Sequence, residues 1–95
     1  MFPTHAGAHM KAVTEKLVFL TTTMVQALVD QPDDVHVRAI AGDHVVLLEV
    51  GVHPSDFGKV IGRHGTHAVA MRQILWAAAG KLGQCSVRME IMAER

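Results

Sequence analysis

Eight residues, Gly58-Lys59-Val60-Ile61-Gly62-Arg63-His64-Gly65, are the part of this chain best suited to chemistry. Two glycines three apart, Gly62 and Gly65, enclose Arg63 and His64. Glycine lets the backbone turn sharply and approach a ligand closely, because no Cβ intervenes. A helix-compatible run, Thr66 to Ala79, follows. The first N–H groups of a helix are unpaired and carry partial positive charge, which favours an anion. A glycine-framed loop between two helices, with a basic residue at its tip, therefore suits a phosphate backbone. Two other phosphate motifs fail on spacing. A nucleotide P-loop needs Gly-Lys followed by Ser or Thr, and the dinucleotide fingerprint needs its first two glycines two apart; neither occurs.

Composition sets limits on this reading. The chain has 95 residues, the size of one domain, and 49% are hydrophobic, enough for a core. Nine Lys and Arg balance nine Asp and Glu. Strong non-specific nucleic-acid binding normally shows as excess positive charge, so any such site must be local. The seven histidines make the net charge pH-sensitive. Cys85 is the sole cysteine, which excludes an internal disulfide and predicts a reducing, cytoplasmic setting. No run of about 18 apolar residues exists to span a membrane. Met1 to His9 lacks the basic start and apolar run of a secretory signal, and it reads as a flexible extension before a single domain at 10–95.

The elements that must position the loop follow from periodicity. Val13, Leu17, Leu20, Met24 and Leu28 recur at steps of three and four, predicting an amphipathic helix from about Met10 to Asp30. Thr21-Thr22-Thr23 should weaken it locally, and Pro32 should end it. Val35 to Ala41 alternates as a strand, and Gly42-Asp43 suits a two-residue hairpin turn. His44 to Val52 is apolar on nearly both faces, the pattern of a central strand. Pro54 and Asp56 suit the first turn of a short helix reaching Ile61. Thr66 can cap the next helix, whose buried face would carry Ala68, Met71, Leu75 and Ala78 or Ala79, with Gly80 and Gly83 at its end. Gln84 to Met92 alternates as the last strand, with Cys85, Val87, Met89 and Ile91 inward. The order is α-β-β-α-α-β. The hairpin strands must be antiparallel, and a helical crossover should return the last strand parallel beside the second. A three-stranded mixed sheet with helices on one face gives a two-layer α/β (α+β) sandwich.

The stretch Val60-Ile61-Gly62-x-x-Gly65, set between two helices in this element order, resembles the loop of type II KH domains, which bind single-stranded nucleic acid. Ala27-Leu28-Val29-Asp30, Pro32-Asp33-Asp34-Val35, Val52-His53-Pro54, Gly58 to Gly62 and Ala70-Met71-Arg72 resemble the small stand-alone KH proteins of bacteria, the KhpA family. The resemblance covers roughly Met10 to Met92. It implies that Gly62 and Gly65 turn backbone N–H groups toward the phosphates of single-stranded RNA. It implies that Arg63 adds a charge-assisted contact and that Lys59, His64, His67 and Arg72 border the same path. Val60 and Ile61 would line an apolar groove for about four nucleotides. It further implies an RNA chaperone or post-transcriptional regulator, working as a homodimer or with a larger KH-domain partner, with no cofactor and no catalysis. The chain departs from the family at His64, where longer polar or basic residues are common, and at Trp76, a large aromatic.

Other features have plainer readings. His64 and His67 bracket the loop but lack a third metal ligand nearby in sequence; protonation of both would add positive charge to a phosphate clamp near pH 6. His5 and His9 could chelate only if helical, and they read as incidental. Cys85 is expected to be a buried, inert thiol. No nucleophile–base pair or carboxylate pair suggests an enzyme. Trp76 is expected to be partly buried; the alternative is an anchor for a partner, in which case the chain is a protein-interaction or ribosome-associated adaptor with RNA binding secondary.

Overall fold

Helix α1 spans Pro3–Gln26, so it begins at Pro3 rather than near Met10, and the residues assigned to an extension lengthen it. The computed structural model describes residues 3–83 and 85–94, and side chains from residue 9 onward within that range. The expectations for Met1, Phe2, the His5 side chain and Gln84 lie outside the described residues. The helix buries Val13, Leu17, Thr21 and Val25, at steps of four. Leu20, Met24 and Leu28 are only half-buried, so the stripe is rotated from the predicted one. Thr21 is no weak point here: it is fully buried, and its Oγ1–H donates to Leu17 O at 2.7 Å, satisfying the hydroxyl inside the helix. The helix ends at Gln26, ahead of Pro32, which opens a single 3₁₀ turn at Pro32–Asp34.

Strand β1, His36–Ala41, pairs antiparallel with β2, Val45–Val52. The hairpin tip is Asp43-His44, one residue later than predicted, because Gly42 N–H donates to Val45 O at 2.8 Å. On β2 the side chains of Val46, Leu48, Val50 and Val52 are fully buried against the helices. A 3₁₀ turn, Pro54–Asp56, leads into α2, Phe57–Ile61. Another, Arg63–Gly65, leads into α3, Thr66–Leu82. Gly80 lies inside α3, and Gly83 follows its end.

Strand β3, Ser86–Ala93, lies parallel to β2 in register from Val45↔Ser86 to Val52↔Ala93. The sheet order β1-β2-β3 leaves one long edge of β3 without a strand neighbour. Val87 and Met89 point into the core, where they meet Met71, Leu75 and Ala79 of α3. Ser86, Arg88 and Glu90 face outward, as alternation predicts. Cys85 is half-buried, just before the strand, rather than sealed in the core. The helices cover one face of a three-stranded mixed sheet, in the α-β-β-α-α-β order of a type II KH fold. On the uncovered face, Arg38 bridges to Glu49 across β1 and β2 with Nη2–Oε1 at 2.6 Å.

Candidate nucleic-acid interface

The loop conformation depends on its glycines. Gly62 sits at φ 81°, ψ 167°, a region essentially closed to other residues. A Cβ there would also lie 2.5 Å from His67 Cγ and 2.8 Å from His67 N. Gly65 adopts φ 76°, ψ 14°, the left-handed helical region, with open space where a Cβ would stand. Gly62 is therefore needed both for its dihedrals and for close packing, and Gly65 for its dihedrals alone. Gly62→Ala is expected to destabilise the fold toward the top of the ~1–3 kcal/mol range for a forced backbone outlier, and Gly65→Ala toward its bottom. Urea denaturation of the two variants checks that order.

Between them, His64 is left-handed too, at φ 57°, ψ 25°. Arg63 and His64 are both exposed, and neither has an ion-pair or hydrogen-bond partner for its side chain among the described residues. Thr66 does not cap α3. It is already helical, and its Oγ1–H donates back to Arg63 O at 2.8 Å, which fixes the tip of the turn. No side chain caps the α3 N-terminus; the turn closes on itself instead, with Gly65 N–H donating to Gly62 O at 3.0 Å and Thr66 N–H donating to Arg63 O. His67 closes the loop from the other side: its Nδ1 lies 2.7 Å from Lys59 O, which makes Nδ1 the donor.

The structure revises the roles of two predicted residues. Val60 is fully buried in the core, so Ile61, half-buried, is the one of the pair at the surface. The Lys59 ammonium turns toward carboxylates, 3.4 Å from both Asp30 Oδ2 and Asp56 Oδ1. The bond to Asp30 and its charge, with help from Asp56, hold Lys59 above its ordinary pKa against the opposing effect of burial. That ammonium is neutralised in place, whereas the Arg63 guanidinium has no such partner among the described residues. Arg72 lies further along α3 and donates from Nη2 to Met89 O on β3 at 3.0 Å.

Asp56 was missed as more than a first-turn acid. It is fully buried and accepts from Asp30 N–H at 3.2 Å and Gln31 N–H at 3.0 Å. It thereby ties the segment after α1 to the start of α2, immediately before the loop. Burial pushes the carboxyl up, but the two backbone N–H groups and the Lys59 ammonium outweigh it and hold the group below its ordinary value. A sequence signal existed in Pro54-Ser55-Asp56, but nothing in it identified donors 25 residues away.

Comparison with known proteins agrees with this geometry. Residues 19–91 match the family described as KhpA/KhpB, KH domain, a span that includes the loop, both flanking helices, β1, β2 and most of β3. The chain belongs to this family. The KhpA/KhpB match leaves out the first two-thirds of α1, where the chain also departed from expectation. RNA-binding protein KhpA of Clostridium perfringens (strain 13 / Type A) is 45% identical over 62 residues, covering 65% of this chain and 83% of that protein. RNA-binding protein KhpA of Halalkalibacterium halodurans is 44% identical over 73 residues, covering 77% of this chain and 95% of that protein. No solved structure matches the chain. Among the described residues, no three His, Cys, Asp or Glu side chains are grouped to hold a metal, and no helix is long and apolar enough to cross a membrane.

Proposed function

We propose that this KH domain binds single-stranded RNA, with the phosphates of about four nucleotides following the Gly62–Gly65 turn. One observation carries the reading. Two glycines at positive φ, Gly62 in a region essentially closed to other residues and Gly65 left-handed, hold Arg63 and His64 out to solvent, unpaired among the described residues, just before α3. Such a turn does nothing for the core, and it presents the Arg63 and His64 side chains where a phosphate could approach them. The names of the curated KhpA relatives support the same class of ligand. Gly62, Gly65, Arg63, His64 and His67 contact the backbone in this reading, Ile61 meets a base, and Arg72 lies along the same path. The domain is a binding module rather than an enzyme, and acts in the cytoplasm as an RNA chaperone or post-transcriptional regulator.

With few free cations and no net charge behind them, electrostatic binding is weak. For about two phosphates neutralised, the logarithm of affinity for an unstructured RNA octamer falls with the logarithm of salt at a slope of about −1.5. Fluorescence anisotropy across a salt series measures this. A wild-type protein that binds no RNA at low salt would end the reading, and crosslinking in cells with sequencing of bound RNA would identify targets.

Pairing with a second copy or another KH-domain protein is a second reading, favoured by the outer side of the helical layer. Phe19 of α1 is 75% exposed and Ile74 of α3 is 49% exposed. Pairing would join two weak footprints into one tighter binder. A monomer at every concentration, alone and with RNA, by light scattering excludes the homodimer.

A further inference from the structure

Gly65, Val69, Arg72 and Trp76 follow one another at steps of four, three and four, so they share one face of α3. This face runs from the loop along the open edge of β3. Two of its side chains are bonded to that edge: Trp76 Nε1–H donates to Val87 O at 3.1 Å, and Arg72 Nη2–H to Met89 O at 3.0 Å. Ser86 N–H and Glu94 N–H bond toward β2, to His44 O and Val52 O, so the even-numbered residues of β3 direct their backbone groups inward to the sheet. The odd-numbered carbonyls of Val87 and Met89 thus belong to the outer edge, and α3 caps them.

The bond fixes the orientation of the indole and uses its single polar group. What remains is ring surface, and Trp76 is 55% exposed. The ring borders a surface depression with Arg72, Arg88 and Glu90, where two cations face one anion. From Gly65 to Trp76 the helix rises about 16 Å, within reach of one short strand lying along α3. An aromatic face held rigid, beside net positive charge and continuous with a phosphate-binding turn, has the properties of a base-stacking platform.

We infer that Trp76 stacks against a nucleobase of the same RNA strand whose phosphates follow the Gly62–Gly65 loop. The inference rests on the RNA-binding reading and adds a subsite to it. Because the indole N–H is committed to Val87 O, the platform offers no hydrogen bond to a base edge. It discriminates by stacking surface, favouring purines over pyrimidines.

Trp76 is the chain's one tryptophan, so its emission reports on this site alone. Labelled octamers of adenylate and of uridylate are titrated against the wild type, Trp76→Leu and Trp76→Phe. Anisotropy of the label measures binding, and wild-type tryptophan emission is followed in parallel. Circular dichroism establishes that each variant is folded. Trp76 emission should change in step with RNA binding. Trp76→Leu should weaken binding by about fivefold or more, the lower end of what one stacked base contributes, and bring the two octamers to equal affinity. Trp76→Phe, which keeps a ring but lacks the N–H, should retain most of the affinity and the preference. RNA binding with unchanged emission and an unaffected Trp76→Leu variant overturns the platform while sparing the loop site. Emission that follows protein concentration and ignores RNA assigns the ring to a protein interface, and also overturns it. An absence of wild-type RNA binding overturns the RNA reading and this subsite together.

Discussion

Replacing Arg63 and His64 both by aspartate is expected to reduce affinity for single-stranded RNA by about a hundredfold or more, while the protein stays folded. Both side chains are exposed and unpaired, so the change removes their attraction for phosphate and adds two repulsive charges at the closest approach of the strand. The backbone should tolerate it. Position 64 is left-handed at φ 57°, and Asp, Asn and His are the non-glycine residues that adopt this region most readily. Carboxylates at the start of α3 also suit the helix dipole. The melting temperature should therefore move by only a few degrees, since exposed substitutions away from special features are nearly neutral. Anisotropy with a labelled octamer, beside a thermal melt, separates lost binding from lost fold. Retained affinity in the folded double variant would remove the loop from the interface.

Removing the Asp56 carboxylate should cost the most stability of any polar substitution near the site. Asp56→Ala leaves the Asp30 and Gln31 N–H groups without their acceptor and Lys59 without one of its two carboxylates. A fall of roughly 10 °C in melting temperature at neutral pH is expected for a domain of this size. The pH dependence has a definite sign. The folded state holds the Asp56 carboxyl below its ordinary value, so folding disfavours its protonation. The stabilisation is present above the unfolded value, near pH 4, and is lost as pH falls through the lower folded value. Asp56→Asn should therefore flatten the loss of stability as pH falls below about 4. Thermal melts across that range measure it, and a variant as acid-sensitive as the wild type would show that other carboxylates carry the transition. RNA binding should weaken as well, because Asp56 holds the start of α2 and hence the entry to the loop.

Much of this was legible in the chain because it is locally encoded. Gly62-Arg63-His64-Gly65 states its own backbone requirement, and the two glycines do occupy positive φ. The alternation in 45–52 marked the central strand, since a strand covered by neighbours on both edges and helices on one face can be apolar almost throughout. The antiparallel hairpin and the parallel return of β3 followed from connection lengths alone. The α1 stripe was misplaced by about one position because Thr21 counts as polar, yet it is fully buried with its hydroxyl satisfied by Leu17 O.

Sequence by itself determined the element order, the fold class and the location of the Gly62–Gly65 turn. These follow from residue types at fixed short spacings, which the helix and strand periods translate directly into faces and ends. Tertiary structure alone decided which charges are free. Lys59 looked as available as Arg63 in the sequence, but its ammonium also meets Asp30, 29 residues earlier, once the segment after α1 packs beside the start of α2. It likewise decided that Val60 belongs to the core, that Asp56 joins two segments, and that Arg72 and Trp76 cap the open edge of β3. Each of these depends on partners many residues apart, brought within bonding distance by packing that no local pattern records.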